Sequence, residues 1–209
     1  MTDEQQLWIE EMRQFTVCQL CDALGHDFPV ETSVIPVESS FRVCGPALTV
    51  ECAPGDNLTL HHALHLAQPG DVLIVSGAKN CDAALWGELM SISAKSKRLE
   101  GTIVDGAVRD AVEIRALGYP VFCRQFTPRR AAKEQHGKIN VPVHIGTLSV
   151  SPGDLIIADA NGIVSLPPRQ VKQTLQSAAE VLQKEATIKQ QIVSGRSIFE
   201  ILNLGQALG

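Results

Sequence analysis

The chain has 209 residues, enough for one fairly large domain, or one domain with an appended helix, and enough to bury a substantial core without disulfide staples. Its formal net charge of -5 and its 44% hydrophobic content describe a globular protein and argue against a surface built for nucleic acid or another polyanion. No run reaches the roughly 18 consecutive apolar residues of a membrane span, and the acidic start MTDEQQLWIEEMR is the opposite of a signal peptide; the chain reads as cytoplasmic, with no membrane contact.

In chain order, residues 4–14 read as an amphipathic helix and 16–24 as a second one, capped by Thr16 and stopped by Gly25. Residues 27–40 read as irregular. Val43 to Cys52 has strand composition with a Gly45-Pro46 interruption, which predicts an edge strand or a bulge. A helix is expected over 56–67, a turn at Gln68-Pro69-Gly70-Asp71, a short apolar strand over 72–76 and a loop over 77–82. The pattern over 83–99 reads as helix, followed by a strand over 102–105, giving a right-handed parallel strand-helix-strand unit. A helix over 111–117 leads to a strand over 120–123, and the polar, basic stretch 127–137 predicts a mobile loop. Strands at 141–145, 147–150, 155–159 and 162–166 follow, with turns at Pro152-Gly153-Asp154 and Asn161-Gly162. From Pro168 to Leu204 the chain reads as helical, with Gly195 as a break. The phrases PGDVLIV (from Pro69) and PGDLIIA (from Pro152) echo each other and read as one turn used twice rather than a duplicated half.

The six cysteines lie scattered in apolar segments, as buried free thiols do in a reducing compartment. Cys18 and Cys21 form a CxxC inside a helical pattern with no second CxxC, which favours core packing over zinc or redox chemistry. His61 and His65 share an i, i+4 spacing but lack the intervening Glu of a zinc helix.

The run Asp105-Gly106-Ala107-Val108-Arg109-Asp110 sets a fixed cation beside a carboxylate where an apolar strand gives way to a helix. Strand ends of α/β sheets are where ligands usually bind. Arg109 has the geometry to fork onto a substrate carboxylate, and Asp110 offers oxygen to a hard cation such as Mg²⁺. Taken alone, such a dipeptide is more often a surface pair that caps the next helix. The loop after 72–76 is expected to open on the same sheet edge. There, Gly87 to Met90 would offer backbone N–H groups to an anion if a helix starts at Gly87. Glu88 adds a second acid near Asp110, suited to orienting metal-bound water or moving a proton, or else it is a solvated helix residue.

Gly70 to Val75, Trp86-Gly87-Glu88-Leu89, Gly101 to Asp110, Gly118 to Phe122, Ile139 to Val143 and Pro152 to Val164 together resemble the RraA-like superfamily. More narrowly they resemble its class II 4-hydroxy-4-methyl-2-oxoglutarate / 4-carboxy-4-hydroxy-2-oxoadipate aldolases, over roughly residues 15–195. The resemblance implies an α/β fold, a β/β/α swivelling-domain-like sandwich in one domain over 1–209, with helical segments at 1–25 and 168–204. It implies a homotrimer or homohexamer with active sites between subunits. Arg109 matches the pyruvate-binding arginine and Asp110 the aspartate that holds Mg²⁺ or Mn²⁺. Glu88 stands where the aldolases carry an aspartate that orders metal-bound water. Leu89 and Met90 match positions whose backbone amides meet the pyruvate moiety, and Glu185 is the match for a glutamate that a neighbouring subunit contributes.

The chemistry so implied is a retro-aldol cleavage of a 4-hydroxy-2-oxo acid to pyruvate and a second oxo acid, with decarboxylation of oxaloacetate as a side activity. Lys79 and Lys95 have no evident reason for a depressed pKa, which disfavours a Schiff-base mechanism. The rival is a non-catalytic regulator that binds a ribonuclease or another protein, as RraA itself does; that branch lacks the aspartate found here at 110. A nucleotide-dependent methyltransferase is set aside because no Gly-rich loop with a distal acidic partner follows a strand. The group at C4 of the substrate would be met by the segments around Asn80 and 127–136, where Arg124, Arg129 and Arg130 are either a second carboxylate site or solvated charges.

Overall fold

Thr16 stands before an apolar helical pattern and carries the side-chain acceptor that a helix start needs. In the computed structural model, which describes residues 3–77 and 82–207, its Oγ1 accepts from the Gln19 amide at 3.2 Å, and Gln19 Oε1 accepts from the Thr16 amide at 3.0 Å. This reciprocal cap opens α2 (Val17–Leu24), which follows α1 (Asp3–Met12). Cys18 is exposed and Cys21 half-buried, so core packing fits the second thiol but not the first. Cys44, Cys52 and Cys123 are buried and free, and burial pushes each thiol up to about 12. Cys81 lies outside the described residues.

The segment read as irregular holds a two-residue strand, β1 (Ile35–Pro36). There follow β2 (Val43–Glu51), α3 (Leu58–Leu66), β3 (Val72–Ser76), β4 (Ala84–Trp86), α4 (Glu88–Ser96), β5 (Gly101–Val108), α5 (Ala111–Leu117) and β6 (Val121–Phe126). The second half adds β7 (Lys138–Ile139), β8 (Val143–Ile145), β9 (Leu148–Val150), β10 (Leu155–Asp159), β11 (Gly162–Leu166), α6 (Pro168–Val193) and α7 (Ile198–Ile201). The main sheet runs β1-β6-β5-β3-β2-β10-β11, with β4 beside β5 and β7 beside β2, while β8 and β9 form a separate hairpin. Its centre, β2-β3-β5-β6, is parallel, and its flanks are antiparallel, a mixed α/β architecture.

Three expectations are corrected. First, β2 lies inside the sheet and not at an edge: Val43 to Pro46 pair with β10, and Ala47 to Glu51 pair with β3. Pro46 has no N–H to give, and it falls where the strand changes partners. Gly45 is needed because a Cβ there would lie 2.4 Å from the Gly70 carbonyl. Second, 83–99 is not one helix. Ala84, Leu85 and Trp86 are fully buried and pair along β5 as β4, so sheet pairing overrides the helical pattern until Gly87. The corner is locked by Ser91 Oγ, which accepts from Trp86 Nε1 at 2.7 Å and donates to the Gly87 carbonyl at 3.0 Å. Third, β5 continues past Asp105 to Val108, with all eight residues buried, so Asp105 belongs to the sheet interior.

The expected loop at 127–137 is held down rather than loose. Asp56 accepts from the amides of Leu58 (2.9 Å), Glu134 (2.6 Å) and Gln135 (3.0 Å), and Thr59 Oγ1 accepts from Gly137 (2.6 Å). Burial alone would raise the Asp56 pKa, but these backbone N–H groups hold it below the usual carboxylate value. The two PGD turns share one chemistry. Asp71 Oδ2 accepts from the Gln68 amide, and Asp154 Oδ2 accepts from the Ser151 amide, each at 2.8 Å. They launch the two strands, β3 and β10, that flank β2.

One core cluster joins the parallel strands to α3, α4 and α5. A second packs α1, α2 and α6 on β10 and β11 through Phe15, Leu20, Ile157, Val164 and Val171. After α6, Gly195 turns at φ 93° and α7 follows, as the Gly195 break predicts. No helix among the described residues is long and apolar enough to cross a membrane.

Candidate active site

The C-terminal ends of β4 and β5 lie side by side, which brings the start of α4 against Arg109 and Asp110. Gly87 takes an extended conformation before α4, and a Cβ there would fall 2.8 Å from Asp110 Oδ2 and 2.9 Å from Arg109 Cγ. A side chain at position 87 would have to push Arg109 or Asp110 aside. Asp110 occupies the left-handed region (φ 58°, ψ 44°) at the start of α5 and makes no side-chain cap to that helix. Its Oδ2 instead accepts from the Glu88 amide at the start of α4, at 3.1 Å. The capping alternative for the dipeptide is therefore not what the carboxylate does.

Arg109 Nε donates to Asp110 Oδ1 and Oδ2 at 3.2 and 3.1 Å, which leaves the two terminal guanidinium nitrogens without a partner among the described residues. The helix's first internal bond runs from the Ser91 amide to the Gly87 carbonyl, so the Leu89 and Met90 amides precede any acceptor within α4. Arg109, Asp110, Gly87, Glu88, Leu89 and Met90 all line one cavity of about 200 Å³. Arg109 and Asp110 also border a second opening of about 470 Å³ with Phe126, Thr127 and Pro128. Of the expected site residues, only Glu185 is elsewhere. It lies on α6, where Gln19 Nε2 and Lys189 Nζ each donate to its Oε2 at 3.0 Å and hold its carboxyl below the usual value.

The cavity also takes in Asn57, His61, Arg130 and Lys133, which sequence reading did not gather into one site. Burial and then Lys133 push His61 below its ordinary pKa, which keeps the imidazole neutral near pH 7. Of the three arginines weighed for a second carboxylate, only Arg130 faces the cavity. Arg129 pairs with Asp82 in the open, and Arg124 is half-buried in an ion cluster with Asp105 and Glu31. Lys79 and Asn80 lie outside the described residues. A separate cavity of about 360 Å³, among Trp8, Ile9, Pro46, Leu155 and Val171, has no cationic side chain among the described residues that line it to meet an oxo acid.

A hard divalent cation suits this donor set. Asp110 presents a carboxylate at the cavity that Gly87 to Met90 also line, and Mg²⁺ needs only one or two carboxylates because it retains several waters. No group of three or more His, Cys, Asp or Glu assembles among the described residues, which argues against a closed zinc-type cage there.

The model of the RraA-like family, described as Aldolase/RraA, matches residues 17–165. A protein of Halalkalibacterium halodurans named "Putative 4-hydroxy-4-methyl-2-oxoglutarate aldolase" is 34% identical over 197 residues, 92% of this chain and 94% of that one. The crystal structure of an uncharacterized protein from Pseudomonas syringae pv. tomato superposes with a TM-score of 0.84 at 27% identity, over 93% of this chain and 92% of that one. The RNA-processing inhibitor RraA from Thermus thermophilis gives a TM-score of 0.67 at 28% identity, over 73% of this chain and 93% of that one.

Proposed function

The chain belongs to the RraA-like family, and from that premise we propose that it is a divalent-metal-dependent class II aldolase. It cleaves a 4-hydroxy-2-oxo acid such as 4-hydroxy-4-methyl-2-oxoglutarate to pyruvate and a second oxo acid, and it decarboxylates oxaloacetate. The observation that carries this reading is the Arg109–Asp110 corner. Arg109 keeps two guanidinium nitrogens without a partner among the described residues, and Asp110 is turned away from its own helix toward Gly87 and α4.

In this reading the free nitrogens of Arg109 fork onto the substrate's 1-carboxylate. The Leu89 and Met90 amides, at the positive end of α4, face the oxygen where charge gathers. Asp110 is the residue that would hold Mg²⁺ or Mn²⁺, with Glu88 placed to order water beside it, and such a cation would supply Lewis acidity toward the 2-oxo group. Glu88 takes up the proton of the C4 hydroxyl, the C3–C4 bond breaks, and its electron pair passes to the pyruvate half. Arg130, Lys133 and neutral His61 form the wall that meets the substituent on C4.

Self-association as a homotrimer or homohexamer belongs to the same proposal, with Glu185 of a second copy reaching the site. Exposed apolar side chains around the rim, Leu89 (79%), Val112 (68%) and Phe126 (48%), support a neighbouring chain there. The likeness to the inhibitor RraA supports a second reading, a non-catalytic regulator that binds a protein partner.

The deciding experiment follows pyruvate release from oxaloacetate and from 4-hydroxy-4-methyl-2-oxoglutarate, with Mg²⁺, with chelator, and with Asp110→Ala. Turnover that needs metal and disappears in the variant supports the aldolase. Arg109→Lys, which keeps the charge but loses the fork, is expected to lower kcat/KM by about 10- to 100-fold. Absence of turnover on both substrates with Mg²⁺ or Mn²⁺ overturns the enzyme and favours the regulator.

A further inference from the structure

The floor of the cavity holds one polar group that this scheme leaves unused. Asn57 precedes α3 and is 6% exposed. Its amide N–H donates to the Ala132 carbonyl at 3.0 Å, and its own carbonyl accepts from the His61 amide at 3.0 Å, so the backbone is held from both sides. Its side-chain Nδ2 donates to the Leu85 carbonyl at 2.9 Å, with Met90 Sδ at 3.8 Å. A carbonyl oxygen accepts only from the NH₂ end of the amide, so this bond fixes the orientation. The atom left over is an acceptor, Oδ1, which is buried and has no partner among the described residues. Folded proteins rarely keep such an acceptor unless a ligand or a water completes it.

Resting on the aldolase reading, we propose that Asn57 is a positioning residue whose Oδ1 holds a water that carries the C4 hydroxyl proton to Glu88. The hydrogen of the C4 hydroxyl passes to the water oxygen, and one hydrogen of that water passes to the Glu88 carboxylate. The water's other hydrogen stays donated to Asn57 Oδ1. The hydroxyl oxygen's electron pair forms the new C=O at C4, the C3–C4 bond breaks, and its pair moves to C3 of the pyruvate half. No oxidant or reductant enters. Three partners, the hydroxyl, Glu88 and Asn57, meet the two to four contacts that an ordered buried water needs. Oxaloacetate has no hydroxyl to deprotonate at C4, since its C3–C4 bond breaks to release CO₂, and so it bypasses the relay.

The test compares cleavage of 4-hydroxy-4-methyl-2-oxoglutarate with decarboxylation of oxaloacetate in wild type, Asn57→Ala and Asn57→Asp, all with Mg²⁺. Both variants lose the bond to the Leu85 carbonyl, but only Asn57→Asp keeps an acceptor in place. Asn57→Ala is expected to lose about 10-fold in kcat for cleavage and less than about 2-fold for decarboxylation. Asn57→Asp is expected to keep the ratio of the two rates within about 3-fold of wild type. Equal losses on both substrates, or the same ratio in both variants, would overturn the relay while leaving the aldolase intact. A wild type inactive on both substrates would remove the aldolase reading itself, and the relay with it.

Discussion

Two arginine–aspartate pairs share β5 and its neighbourhood, and they serve opposite ends. Arg124 and Asp105 meet across β6 and β5 with side chains 17% and 6% exposed. Further contacts tie this pair down: Asp105 Oδ2 accepts from the Gly146 amide at 3.0 Å, Arg124 also donates to Ser33 Oγ, and its Nη2, buried without a hydrogen-bond partner among the described residues, faces Glu31 at ion-pair range, 3.9 Å. Arg109 and Asp110, just past the end of the same strand, are 43% and 27% exposed and bond to each other through Nε alone. The first pair stitches the segment before β1 and the turn between β8 and β9 onto the sheet. The second is open to a ligand. The difference comes from position: inside the sheet a charge must be satisfied by the protein, and at a strand end it is left for what binds.

The comparison breaks most visibly at Asp105. Asp105→Ala leaves the buried Arg124 guanidinium with Glu31, 3.9 Å away, as its remaining counterion among the described residues, a loss of about 3 kcal/mol, or about 10 °C in melting temperature for a chain of this size. Asp110→Ala removes an equivalent charge from a half-open pair and is expected to cost about 1 kcal/mol, most of it the left-handed backbone rather than the exposed ion pair, while abolishing metal-dependent turnover. Parallel denaturant melts of the two variants read the contrast, and comparable losses would mean that the site pair is structural.

A third carboxylate, Asp56, sharpens the point with pH. Its three backbone N–H bonds depress its pKa below 3.8, so its stabilising effect is present above the unfolded value and is lost as pH falls through the folded one. Asp56→Asn keeps one acceptor oxygen of two and is expected to lose about 2 kcal/mol at pH 7. That gap should close on acidification below about pH 3.8, as read from unfolding curves taken across pH. A gap that persists in acid would place the effect in packing and not in charge.

What could be read in advance divides along the same line. The Arg109–Asp110 corner, the helix over 111–117 and the cap at Thr16 depend on residues within a turn or two of each other, and the structure places them as expected. Asp105 could not be assigned to the interior, because its partner Arg124 stands 19 positions away on another strand. The helical reading of Ala84 to Trp86 fails for the same reason: those residues are strand only because β5 is beside them. Asn57 was invisible as a site residue because its orientation is set by the Leu85 carbonyl of that unforeseen strand. Glu185 does not reach the cavity within a single chain, so only its own bonds to Gln19 and Lys189 are visible.

The smallest effect isolates the backbone of the open pair. Asp110 holds a left-handed conformation at φ 58°, which L-residues other than Asn and Asp enter at a cost of about 1–2 kcal/mol and glycine enters freely. Asp110→Gly and Asp110→Ala lose the same carboxylate, the same contact to the Glu88 amide and the same pairing with Arg109. They differ in that strain and, in the opposite sense and more weakly, in the extra backbone entropy that glycine loses on folding. The glycine variant is therefore expected to be more stable than the alanine variant by about 1 kcal/mol, with both equally inactive. Functional side chains are often held in sparsely populated backbone regions by the structure around them, and here Gly87 packs closely against the Asp110 side chain. If the two variants melt together, the strain is absorbed elsewhere and the conformation of Asp110 is dictated by its side-chain bonds instead of by the chain's path.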